Sequence, residues 1–139
     1  MSKVEPAMIS LNSNKYSNYI KRLAMEEIKQ VLFRNSEINT AIGLLLHKVE
    51  KSTIEDITKE YVKNVSYIHR LEDICISNNL YNADKDTFLL LMHNKLNELQ
   101  RNLNQLKSSK TSKKQIVEAE KRIDTIHSIT LNFKKGHTF

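Results

Sequence analysis

Glycine and proline are nearly missing from this chain of 139 residues, which holds two of the first and one of the second. Sheet-based folds need such residues at almost every corner, so all-β and α/β architectures are excluded and long helices with few corners are expected. Tryptophan is absent and cysteine occurs once, at Cys75. One thiol rules out an internal disulfide framework and fits a reducing compartment. No apolar run approaches the roughly 18 residues of a membrane span. The densest run, Ala41 to Leu46, is short and ends at His47–Lys48. The N-terminus lacks the charged-then-apolar pattern of a secretion signal. The expectation is a cytoplasmic chain, or one exported by a route without a cleaved signal, with no membrane segment.

What is present is an ordinary globular balance, with 40% hydrophobic and 27% charged residues, in a length that suits one domain. The formal charge of +6 is unevenly spread. Residues 51–80 are slightly acidic, whereas residues 81–139 carry eleven basic and six acidic groups. Within that last stretch Arg101, Lys107, Lys110, Lys113 and Lys114 follow one another with no acid between Glu98 and Glu118.

Hydrophobic spacing divides the chain into a flexible tail, residues 1–12, and a single helical domain, residues 13–139. Within the domain, 13–80 holds three helices and 81–135 a helical hairpin, about five helices in all. Tyr16, Ile20, Leu23, Ala24, Ile28, Val31 and Leu32 recur at three and four residues, which predicts a helix ending near Arg34. Asn35–Ser36 reads as a break with Ser36 capping a second helix to Glu50. Gly43 within it lowers helix propensity by about 1 kcal/mol. Ser52-Thr53-Ile54-Glu55 has the form of a capping box. The third stripe, Ile54, Ile57, Tyr61, Val65, Ile68, Leu71 and Cys75, follows it.

The clearest periodicity lies beyond residue 85. Leu89, Met92, Leu96, Leu99, Leu103 and Leu106 alternate spacings of three and four, and Ile116, Ala119, Ile123, Ile126, Thr130 and Phe133 do the same. Each is a coiled-coil-like seam. Ser108-Ser109-Lys110-Thr111 lies between them and Ser112-Lys113-Lys114-Gln115 is a second candidate capping box, so the helices must run antiparallel. Extra apolar residues at the base predict burial there, and the five basic residues are expected on a projecting tip.

Candidate chemistry is sparse. His47, His69, His93, His127 and His137 show no pairing at three or four residues, so no metal site or cofactor is expected. Cys75 sits on an apolar stripe, where an inert thiol is the ordinary outcome. No phosphate-binding glycine loop or nucleophile turn occurs, so no enzyme is expected. A phosphotransfer role for His93 has no supporting motif.

Thr53-Ile54-Glu55-Asp56-Ile57-Thr58-Lys59-Glu60-Tyr61 resembles the first helix of a helix-turn-helix, and Asn64-Val65-Ser66-Tyr67-Ile68-His69-Arg70-Leu71 resembles the recognition helix of helix-turn-helix transcription activators. The resemblance implies DNA binding through Lys63, Asn64, Ser66, Tyr67, His69 and Arg70. Val62 stands where such motifs place a turn glycine, and Lys63 where they place an apolar residue. The competing expectation is one unbroken helix, favoured by the continuous stripe.

The leading expectation is a non-catalytic adaptor, chaperone-like factor or regulator that contacts another protein, through an acidic surface, by Arg101, Lys107, Lys110, Lys113 and Lys114. A nucleic-acid-binding regulator is the alternative, and pairing with a second copy of the chain is a further expectation.

Overall fold

The computed structural model describes residues 9–45, 51–109 and 112–136. It is all-helical, with no strand among the described residues: α1 (Asn14–Leu45), α2 (Lys51–Cys75), a 3-10 turn (Leu80–Asn82), α3 (Lys85–Ser108) and α4 (Lys113–Lys135). No helix among these residues is long and apolar enough to cross a membrane.

Among the described residues there are four α-helices where the sequence suggested about five. The break expected at Asn35–Ser36 does not occur, and α1 runs through it. Asn35 is buried, and its amide is used across the fold rather than on its own backbone. It donates to the Tyr61 carbonyl at 3.4 Å and accepts from Asn64 Nδ2 at 2.9 Å. With that amide satisfied, the local competition that makes Asn a helix breaker is removed. Ser36 is an interior residue whose carbonyl accepts from Thr40 Oγ1 at 3.1 Å. The expected continuation from 46 to Glu50 lies outside the described residues.

The helix-turn-helix expectation fails as well. α2 passes without interruption from Lys51 to Cys75, with Val62 and Lys63 both exposed on it. Three-and-four spacing keeps Ile68 and Leu71 on one buried side, and no glycine or proline opens a turn. Ser52 falls inside the helix, not before it, so it is not the cap that its sequence context suggested.

The chain divides into two compact units, one spanning Lys21–Ser77 and the other combining the chain up to Ile20 with Asn78 onward.

In the Lys21–Ser77 unit, α1 and α2 are tied in reverse order along their lengths. The Cys75 thiol lies 3.8 Å from the Lys21 carbonyl, the Tyr67 hydroxyl donates to Glu27 at 3.0 Å, and Arg34 makes two 3.2 Å bonds to Glu60. The two helices therefore run antiparallel. Leu23, Ala24, Ile38, Ile68, Leu71 and Ile74 form the buried apolar layer, with Glu27 buried among the polar exceptions. The Glu60 carboxylate raises the pKa of the Arg34 guanidinium through its hydrogen bonds and its charge.

In the other unit, Phe88 near the start of α3 stacks on Phe133 near the end of α4, with ring centroids 3.9 Å apart. At the opposite ends Leu103, Ala119 and Ile123 are buried together, with Leu96, Leu99, Leu106 and Ile116 packed around them. α3 and α4 are thus an antiparallel pair. The buried stripe drifts from the sequence expectation near the stacked rings: Leu91 and Ile129 are fully covered, while Leu89 and Thr130 are only partly so. A straight helix repeats every 3.6 residues and slips about 20° per heptad against a 3.5-residue seam. Lys95 is buried as well, 3% exposed, with its ammonium reaching Glu98 at 3.3 Å.

Residues 9–12, expected as the end of a flexible tail, are held in this unit. Leu11 is fully buried, and its N–H donates to the Tyr81 hydroxyl at 3.1 Å. The Ile9 N–H donates to Asn132 Oδ1, and Asn12 both donates to Asn79 Oδ1 and accepts from the Leu80 N–H at 2.9 Å. Residues 1–8 of the expected tail lie outside the described residues. α3 is capped by Asp84, whose carboxylate accepts from the Thr87 N–H at 3.0 Å.

Candidate interaction surface

The short connection between α3 and α4 brings the last turn of one helix beside the first turn of the other. Lys107 ends α3, and Lys113 and Lys114 open α4. All three are exposed. Arg101 is exposed too, but sits about 9 Å back along α3 and nearly opposite Leu103, on the side turned away from the packed seam. Lys110, the fifth expected contact, lies outside the described residues. The structure therefore gathers three of the five and leaves Arg101 on a different side of its helix.

Local helix chemistry does not explain this charge. Lys107 suits the negative end of the α3 dipole, but Lys113 and Lys114 occupy the positive end of α4, where cations are disfavoured by a few tenths of a kcal/mol to about 1 kcal/mol each. Ser112 occupies the N-cap position, yet its side chain makes no capping bond, against the capping box read from the sequence. Its carbonyl accepts the Ile116 N–H at 3.4 Å, so only the backbone half of the cap is formed. Arg101, Lys107, Lys113 and Lys114 form no ion pair with any described residue.

A shallow groove of about 620 Å³ runs beside this end, with Leu99, Leu106 and Ala119 among its lining and Gln105, Gln115 and Arg122 at its polar edge. Arg122 is a basic residue that sequence reasoning missed. In the linear chain Glu118 closes the acid-free run, whereas on α4 Glu118 and Arg122 are one turn apart and line the same groove. The i, i+4 spacing was the available signal.

The residues singled out for nucleic-acid reading are dispersed on α2. Tyr67 is buried and bonded to Glu27, and Asn64 is spent on Asn35. Arg70 donates to Ser66 at 2.8 Å, and His69 lies 3.9 Å from Glu72. Lys63, Ser66, His69 and Arg70 are exposed, but two of the six proposed readers serve the α1–α2 contact.

Among the described residues no three His, Cys, Asp or Glu side chains gather where they could hold a metal ion. Cys75 is half-buried, and burial, aided by the charge of Glu72 and opposed by Lys21, pushes its thiol pKa up, away from the reactive thiolate. His93 is exposed and shares a 3.2 Å contact with Asn97 one turn along. No known protein family, curated protein or solved structure matches this chain.

Proposed function

We propose that the chain is a non-catalytic helical adaptor or regulator, of the chaperone-like kind, that works in the cytoplasm by presenting the joined ends of α3 and α4 to an acidic surface of another protein. The α3–α4 seam acts as a coiled-coil-like strut in this reading, holding the charges at a fixed end. One observation carries it: Lys107, Lys113 and Lys114 at these ends, and Arg101 about 9 Å back along α3, are exposed without ion-pair partners among the described residues, two of them at a helix start where they oppose the dipole. Folding alone favours acids at that place, so an external anionic partner accounts for the lysines better than stability does.

Each exposed charge pair contributes about 0.2–1 kcal/mol. Replacing all four by serine should therefore weaken binding to an acidic surface by roughly 4- to 900-fold. The assay is fluorescence anisotropy with a labelled helical peptide of Glu and Ala repeats, in parallel with random-sequence duplex DNA, across a salt series. The expected result is binding of the acidic peptide that fades with salt and is lost in the four-serine variant, whose circular dichroism is unchanged. Tighter binding of the duplex, with a steep salt slope, transfers the site to nucleic acid. Failure to bind either probe at low salt ends the reading.

A further inference from the structure

Half of the large apolar side chains exposed among the described residues lie on one helix. Met25, Leu32, Phe33 and Leu44 of α1 are 54%, 52%, 68% and 72% exposed. With 3.6 residues per turn, Met25, Leu32 and Gly43 fall along one line, and Phe33 and Leu44 along the next. The buried residues Leu23, Glu27 and Ile38 occupy the opposite side. This face is also spacious at one point, because a Cβ added at Gly43 would meet no atom within 4 Å. Lys29 lies within the face, exposed and without an ion-pair partner among the described residues. Glu37 lies one turn beyond Phe33 and, among the described residues, pairs only with Arg34, at 4.0 Å, while that guanidinium is held by Glu60 at 3.2 Å.

We propose that this face of α1 pairs with the same face of a second copy of the chain, antiparallel about a two-fold axis passing near Phe33. Residues equally spaced on either side of the axis then meet. Phe33 meets Phe33, and Lys29 meets Glu37 of the second copy, a contact that symmetry makes twice. Met25 comes within a turn of the second copy's Gly43, where large side chain faces open space. A parallel pairing sets Lys29 against Lys29 and Glu37 against Glu37, so charge selects the antiparallel one. The face runs about 28 Å from Met25 to Leu44. One helix face falls short of the roughly 800 Å² per partner of a stable interface, so the dimer is weak and concentration-dependent.

The pairing does not involve the charged ends of α3 and α4, so the four-serine variant should dimerise like the parent. The experiment is sedimentation equilibrium from about 5 to about 500 µM, the range that reports a micromolar dissociation constant. The parent should pass from monomer to dimer. Phe33→Glu should stay monomeric while keeping its helical circular dichroism. Lys29→Glu should weaken the dimer by roughly 2- to 30-fold, for two surface pairs lost together. Adding Glu37→Lys to Lys29→Glu should restore it, since the swap re-forms both pairs only in the antiparallel arrangement. A parent that stays monomeric throughout leaves the face to some other partner and overturns the proposal. So does a dimer indifferent to Phe33→Glu, or a charge swap that fails to rescue.

Discussion

Alanine at the two glycines should shift stability in opposite directions. Gly43 lies inside α1, and its added Cβ would meet nothing within 4 Å. Gly43→Ala therefore changes helix propensity alone, a gain of about 0.5–1 kcal/mol. Gly136 caps α4 with φ −75° and ψ −5°, a backbone that alanine adopts without strain. Its added Cβ would instead run into the Tyr81 ring, closest at Cδ1 and 2.9 Å from Cε1. That ring has little freedom to retreat. The Tyr81 hydroxyl accepts from the Leu11 N–H, and the Tyr81 N–H donates to Asn79 Oδ1, both at 3.1 Å. Overpacking of this kind costs about 1–3 kcal/mol. Losing the Leu11 bond as the ring swings away adds about 1 kcal/mol. The two alanine variants should thus differ by about 1.5–5 kcal/mol. Urea unfolding at low micromolar concentration measures the difference, and amide exchange at Leu11 reports the ring. A Gly136→Ala protein as stable as the parent, with Leu11 protection intact, would refute the packing argument.

Phe133→Ala removes a fully buried ring stacked on Phe88 and should cost about 3–5 kcal/mol, read as a fall of roughly 10–20 °C in Tm. Tyr67→Phe deletes the hydroxyl that donates to buried Glu27 and should cost about 1–3 kcal/mol in urea unfolding; a neutral result would mean that this bond contributes nothing. The pH dependence follows from Cys75. Its thiol pKa is raised by burial, so the folded chain holds this proton more tightly than the unfolded one. The stability it confers is present below the ordinary thiol value and is lost as pH rises through that value towards the raised one. Stability curves across that window should fall in the parent and flatten in Cys75→Ala; equal slopes would discount the burial argument.

Helix content was readable because it depends on local pattern. Leu96, Leu99, Leu103 and Leu106 can hide only on one side of a helix, and so short a link leaves Ile116, Ala119 and Ile123 as their neighbours. One error came where a polar side chain had a distant partner. Asn35 reads as a breaker until Tyr61 and Asn64 are seen beside it. Ser112 reads as a side-chain cap until its hydroxyl is found unused for that purpose. The exposure of Arg101, Lys107, Lys113 and Lys114 was legible, because a charged residue off the seam has nowhere else to go. That Arg101 points away from the others follows from helical phase, which a linear charge run conceals.

The hold on Ile9 and Leu11 also orders events during synthesis. Ile9 bonds to Asn132, 123 positions later, and Leu11 bonds to Tyr81, 70 positions later. At roughly 5–20 residues per second the ribosome delivers Asn132 roughly 6–25 s after Ile9. The Lys21–Ser77 helices find their cross-links within their own stretch, so they can close on the nascent chain while Leu11 stays bare and waits for its pocket.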